Sequence, residues 1–145
     1  GSDSTMLVYL DSSALVKPAP DEPHAPELDA RLEDLLVTDC EFLTSTLGWI
    51  EVSRAIRRRH RDESDKSEGD LESDALAGVS GFPISYDVVA VARKIGAASL
   101  RSLDAIHCAT ATIADVDLFI TYDQRLIEAA REVGFVVESP GMTDS

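Results

Sequence analysis

Cysteine is scarce in this chain, which holds two, Cys40 and Cys108. They stand far apart and without metal-ligand spacing. That excludes a disulfide scaffold and a zinc site, and reads as two small core residues in a reducing cytoplasm. Long apolar runs are missing too: no stretch approaches the ~20 residues needed to span a bilayer, and the start lacks the basic-then-apolar pattern of a secretion signal. No membrane association is expected. Aromatic residues make up only 6%, too few to supply a row of base-stacking platforms. Basic residues are outnumbered, 13 Lys and Arg against 27 Asp and Glu, for a net charge of −14. A chain that gripped nucleic acid by its surface alone would be basic, whereas this one repels a phosphate backbone at long range. Handling nucleic acid would require a local reversal of sign, from bound cations, a basic patch or a basic partner.

What is present suffices for one folded domain. At 145 residues and 44% hydrophobic, the chain can bury a core without cross-links. Gly1 and Ser2 read as a cloning remnant ahead of Met6, so residues 1–5 are set aside as a tail, 6–141 form the domain and 142–145 a second tail. Short apolar runs alternate with helical patterns. Strands are predicted over 7–10, 42–45, 118–121 and 135–137, with 82–84 a minor strand or connection. Helices are predicted over 12–17, 26–37, 47–59, 86–95, 102–113 (with Ser102 as N-cap) and 123–133, the last stopped by Gly134. The segment from Arg61 to Asp74 is acidic and nearly free of apolar residues, and reads as a solvated loop with a ragged helix start. The pattern predicts an α/β fold, with a parallel sheet covered on both faces. In such sheets ligands bind beyond the carboxyl ends of the strands.

Two predicted strands run into acid, at Asp11 and Asp123, which places both on one sheet edge. Each could serve only as a helix N-cap. Asp104 falls in the first turn of a helix, where it complements the dipole, but Leu103, Ala105 and Ile106 around it are apolar. Glu51 shares a helical stripe with Leu47 and Ala55, so it is partly desolvated and needs a counter-charge, for which Arg54 is at hand. Together the four suggest carboxylates converging from separate elements. Such a group repels itself without cations between its members, and all-oxygen ligation selects Mg²⁺ or Mn²⁺. In-line phosphoryl transfer is the chemistry that uses such a site.

These segments resemble the PIN domain, and within it the VapC-type toxins of prokaryotic toxin–antitoxin pairs. The resemblance is carried by Tyr9-Leu10-Asp11-Ser12-Ser13-Ala14-Leu15-Val16-Lys17, by Thr44-Ser45 with Glu51 and Arg54-Ala55, by Leu100-Arg101-Ser102-Leu103-Asp104-Ala105-Ile106-His107, and by Phe119-Ile120-Thr121-Tyr122-Asp123, and it covers the chain from Leu7 to about Pro140. It implies a three-layer α/β/α Rossmann-like fold with a central parallel sheet. It also implies Mg²⁺- or Mn²⁺-dependent endoribonuclease activity leaving a 5′-phosphate and a 3′-hydroxyl, an inhibitory VapB-like antitoxin, and a homodimer. Asp11, Glu51, Asp104 and Asp123 match the acidic quartet, the first and third bridging the metals. Ser12 or Ser13 matches the small polar residue after the first acid, and Thr121 the hydroxyl residue before the last. By analogy the substrate is structured RNA such as tRNA or rRNA.

The strongest basic run, Arg54 to Arg61, is either a helix end complementing its dipole or a patch in which Arg54, Arg57 and Arg58 meet RNA phosphate or an acidic antitoxin segment. Arg101 is a further phosphate candidate. His107, one turn from Asp104, reads as structural, and Trp49 as core or interface packing. Two other uses of a strand-end Asp fail here. A haloacid-dehalogenase-type phosphotransferase needs Asp-x-Asp, but Ser13 stands at the second position, and a phospho-receiver needs a late lysine, but none follows Lys94. A non-catalytic PIN-like module that binds a protein partner is the alternative.

Overall fold

The alternation of apolar runs and helical stripes becomes a single sheet in the computed structural model, which describes residues 5–17, 22–59 and 66–142. Among these residues the strands are β1 (Met6–Leu10), β2 (Cys40–Ser45), β3 (Val79–Phe82), β4 (Leu118–Ile120) and β5 (Val137–Glu138). The helices are α1 (Ser12–Leu15), α2 (Ala25–Leu36), α3 (Thr46–Arg59), α4 (Glu68–Leu76), α5 (Tyr86–Ala92), α6 (Ser102–Ala114) and α7 (Gln124–Val133). All strand pairs are parallel, in the order β3-β2-β1-β4-β5. No described helix is long and apolar enough to cross a membrane.

The two-residue period of a strand divides the core. Val8, Leu10, Leu118 and Ile120 turn to one face, against Leu28 and Leu35 of α2 and Val52 of α3. Tyr9, Leu43 and Phe119 turn to the other, against Cys108 and Ala111 of α6 and Leu126, Ala129 and Ala130 of α7. Helices on both faces of a parallel sheet make the three-layer α/β/α architecture. Each large side chain buried there contributes about 1.5–3 kcal/mol. Both cysteines are free and pack with these cores, Cys108 fully buried.

The strand order matters for function. The chain steps outward from β1 through β2 to β3, then returns to the opposite side of β1 to form β4. The direction of winding therefore reverses between β1 and β4, and folds of this kind bind ligands at the carboxyl ends of the strands at such a reversal. Asp11 follows β1 and Asp123 follows β4 at that point.

Four local expectations are corrected. The acidic segment is helical in its second half: the Ser67 hydroxyl accepts from the Asp70 N–H at 3.1 Å and caps α4, with Glu68 and Asp70 in the first turn. Residues 61–65 lie outside the described residues. The third strand starts earlier than Phe82 and ends there, because Pro83 offers no N–H to extend the ladder. The cap of α6 is Arg101, whose side chain makes no capping bond, and Ser102 is the first helical residue. α5 is capped by Ser85 and ends at Ala92 rather than 95, ahead of Gly96 at a φ of 71°. The Gly134 stop of α7 is borne out by its left-handed φ of 114°.

Candidate active site

The site is assembled from the ends of β1 and β4 and the starts of α1, α3, α6 and α7. Asp11 is its buried centre, with 3% of its surface exposed. It caps α1 by accepting from the Ala14 N–H at 3.1 Å, and it accepts from the Ser13 hydroxyl at 2.7 Å. The Ser13 hydroxyl also accepts from the Tyr122 N–H at 2.9 Å and lies 3.3 Å from the Thr121 hydroxyl. The Thr121 hydroxyl accepts from the Asp123 N–H at 3.1 Å. Ser13 and Thr121 thus tie the end of β1 to the turn after β4. Of the two serines after Asp11, the hydroxyl in this network is that of Ser13. Ser12 contributes its carbonyl, which accepts from the Val16 N–H at 3.0 Å.

Glu51 projects from the second turn of α3. Its partner is not Arg54, the nearest cation along the helix, but His107 of α6, whose Nε2 lies 2.6 Å from Glu51 Oε1. The other ring nitrogen, Nδ1, lies 2.6 Å from the Tyr9 hydroxyl. Tyr9 is fully buried, and its oxygen accepts from the Ser45 N–H at 3.2 Å. While the ring is neutral, the Tyr9 hydroxyl can donate to Nδ1 and leave Nε2–H donating to Glu51, and once the ring is protonated both nitrogens donate. A buried Tyr9–His107–Glu51 chain therefore crosses the floor of the site. The structural reading of His107 is corrected to this extent: the ring is buried, but it is wired to one of the four acids.

The remaining acids sit at the mouth. Asp104 is half-buried in the first turn of α6, and Asp123 is exposed while capping α7, where it accepts from the Arg125 and Leu126 N–H groups at 2.9 and 3.3 Å. The electrostatics show that these groups sense one another. Burial raises the Asp11 pKa, against the pull of His107, Ser13, Thr121 and Ala14. Burial also raises that of Asp104, and the Asp123 charge adds to it, while His107, Arg125 and Arg101 oppose. For His107, burial opposes protonation, but the Glu51 hydrogen bond and the charges of Asp11, Glu51 and Asp104 outweigh it and raise the pKa.

The edge therefore carries excess negative charge around one imidazole. Among the described residues no three His, Cys, Asp or Glu side chains form a ready-made metal cage. The donor set nevertheless suits a hard divalent cation: carboxylates and hydroxyls from four elements, with two carboxyl groups whose charge is under-compensated.

The basic run is placed differently from the acids. Glu51 lies near the start of α3, and Arg57 and Arg58 stand six and seven residues on, about 9–10 Å further along the axis. They and Arg59 form the last turn, complementing the helix dipole, and Arg59 pairs with Glu22. His60 and Arg61 lie outside the described residues. Arg54 is exposed on the flank of α3, and Arg101 stands at the mouth with Asp104. Sequence reasoning missed Arg125, whose only signal was its position two residues after the last acid, and missed Tyr9, whose hydroxyl carried no signal at all.

Comparison with known proteins identifies the family of the chain. The PIN domain pattern matches residues 8–132. Ribonuclease VapC47 of Mycobacterium tuberculosis is 39% identical over 137 residues, covering 93% of this chain and 98% of that protein. Ribonuclease VapC46 of the same species is 39% identical over 135 residues, covering 92% and 97%. In fold, the chain resembles VapBC2 of Rickettsia felis, solved bound to a DNA fragment from its promoter, with a TM-score of 0.67 at 15% identity over 92% of this chain and 98% of that one. It also resembles M. tuberculosis VapC20, described as a sarcin-ricin loop cleaving toxin, with a TM-score of 0.65 at 13% identity over 89% and 96%.

Proposed function

Because the chain belongs to the PIN-domain family, we propose that it is a Mg²⁺- or Mn²⁺-dependent endoribonuclease, the toxin of a cytoplasmic toxin–antitoxin pair. The observation that carries this reading is the gathering of Asp11, Glu51, Asp104 and Asp123 at the winding reversal between β1 and β4. The ribonuclease names of relatives that span nearly the whole chain support it.

In this mechanism Asp11 and Asp104 would hold the metal, with Glu51 and Asp123 beside it. When bound there, a divalent ion would supply charge neutralisation of the scissile phosphate and a lowered pKa for water. The chain's own residues prepare the site. The Ser13 hydroxyl and the Ala14 N–H hold the Asp11 carboxylate in one orientation. His107, anchored by Tyr9, holds Glu51. Asp123 is fixed by its cap on α7. Products with a 5′-phosphate and a 3′-hydroxyl are expected, from a structured RNA such as tRNA or rRNA. A VapB-like antitoxin on a separate chain blocks the site, and the toxin is a homodimer, which sedimentation of the isolated chain would reveal.

The deciding experiment is cleavage of total RNA by the purified chain in Mg²⁺, Mn²⁺ or EDTA, with Asp11→Asn and Asp104→Asn beside it. Cuts that need metal and vanish in both variants are expected. Equal background from every protein, with mass spectrometry showing no co-purified inhibitor, would replace this reading with a protein-binding module.

A further inference from the structure

A cleft of about 270 Å³ opens beside Asp104, between the loop that leads into α6 and the outer face of α7. Arg101 stands on one wall and Arg125 on the other, with Glu128 and Glu132 on the α7 side and Leu100 on the loop side. The loop folds back tightly: Gly96 has a φ of 71°, and a Cβ there would lie 2.9 Å from Leu100 Cδ2. Both arginines are exposed, and among the described residues neither forms an ion pair, whereas Arg31 and Arg59 are bound to Glu138 and Glu22. In a chain of net charge −14, these two guanidinium groups offset most of the charge of Asp104, Glu128 and Glu132 around the cleft, and a cation held at Asp104 would tip the balance toward a polyanion.

Resting on the ribonuclease reading, we propose that this cleft seats the nucleotide adjoining the scissile phosphate. Arg101 and Arg125 take its phosphate, since a guanidinium matches phosphate oxygens with paired donors. The volume, about 270 Å³, lies just below the ~300–1,000 Å³ range of ligand-sized cavities, which suits one nucleotide and not a stretch of duplex. Glu128 and Glu132 can only accept hydrogen bonds while ionised. They select a base that offers an exocyclic amino group, as in cytosine, adenine or guanine, and disfavour the carbonyl edge of uracil.

The test is binding of labelled oligo(C), oligo(A) and oligo(U) to the full chain in the Asp11→Asn background, by fluorescence anisotropy over a range of salt. Oligo(C) and oligo(A) should bind more tightly than oligo(U). Arg125→Ala and Arg101→Ala should each weaken binding roughly tenfold and reduce the slope of log affinity against log salt by about 0.7. Glu128→Gln with Glu132→Gln should narrow the preference over oligo(U), because an amide both donates and accepts. Unchanged melting curves would show that these exposed substitutions leave the fold intact. The proposal is overturned if affinity and slope survive both arginine changes while Arg57→Ala with Arg58→Ala lowers them, which would put the RNA on α3. It is also overturned if the cleft variants lose only the antitoxin complex. Cleavage by the parent with indifferent cleft variants would sink the cleft alone. Neither cleavage nor binding by any protein would sink the ribonuclease reading and the cleft with it.

Discussion

The site has two unlike halves. In the closed half, Tyr9, Asp11, Ser13, Glu51, His107 and Thr121 are buried or partly buried and bound to one another through hydrogen bonds of 2.6–3.3 Å. In the open half, Asp104, Asp123, Arg101 and Arg125 stand at the mouth, and the two arginines act on Asp104 through space but form no direct ion pair among the described residues. The closed half is therefore part of what holds β1, β4, α3 and α6 together. The open half adds little to the fold and is free to meet a ligand. Substitutions in the closed half should alter stability and activity together, and those in the open half activity alone, except where a change at Asp123 also removes its cap on α7.

The largest effect should come from Asp11→Asn. Cleavage should fall by more than the ~100-fold that bounds changes to groups outside the metal's own ligands. Stability should move the opposite way. Burial raises the Asp11 pKa, so at neutral pH the folded state holds a charge it would shed, and removing that charge stabilises. In EDTA the variant should melt roughly 2–4 °C higher per kcal/mol gained. A variant that lost activity but melted lower would show that the carboxylate, and not merely its oxygens, holds the site together.

His107→Asn should come next, costing about 10–100-fold in cleavage, with Tyr9→Phe milder because it removes one neutral hydrogen bond, ~1 kcal/mol. The pH dependence sharpens this. The folded-state pKa of His107 is raised above its ordinary 6.5. Its contribution is therefore full below 6.5 and is lost as pH rises through the higher folded value. Denaturant titrations in EDTA should show wild-type stability declining from about pH 6.5 upward, with a shallower decline in His107→Asn. Parallel curves would mean that the ring does not gain protons on folding.

Much of this was legible beforehand, and the exceptions share a cause. The positions of the four acids in the fold could be read because each sits at a place defined locally, after a strand or in an early helical turn. The unbroken apolar run from Leu7 to Leu10 likewise announced a buried strand. Glu51 was assigned to Arg54 because both lie on one helix, but the tertiary partner, His107, lies 56 residues away and won. Tyr9 and His107 are 98 residues apart, and no periodicity joins them. The β3 strand was blurred by its shortness and by Gly81, where a Cβ would fall 1.9 Å from the indole of Trp49, so the strand carries no side chain at its closest approach to α3. By contrast, α4 was announced by Ser67 three residues before Asp70, a capping pattern that the acidity of the surrounding segment masked.

The smallest effects fall in the open half, where Asp123 allows its two roles to be separated. Its carboxylate caps α7 through the Arg125 and Leu126 N–H groups and also faces Asp104. Asparagine caps as well as aspartate, and alanine does not. Asp123→Asn should therefore keep the melting temperature within about 1 °C of wild type while lowering cleavage, since only the charge is lost. Asp123→Ala should lose cleavage to a similar degree and about 1 kcal/mol of stability besides, visible as a drop of roughly 2–4 °C. If both variants melted alike and well below wild type, the charge at Asp123 would belong to the fold, and the division between a closed, structural half and an open, ligand-facing one would fail at its outermost residue.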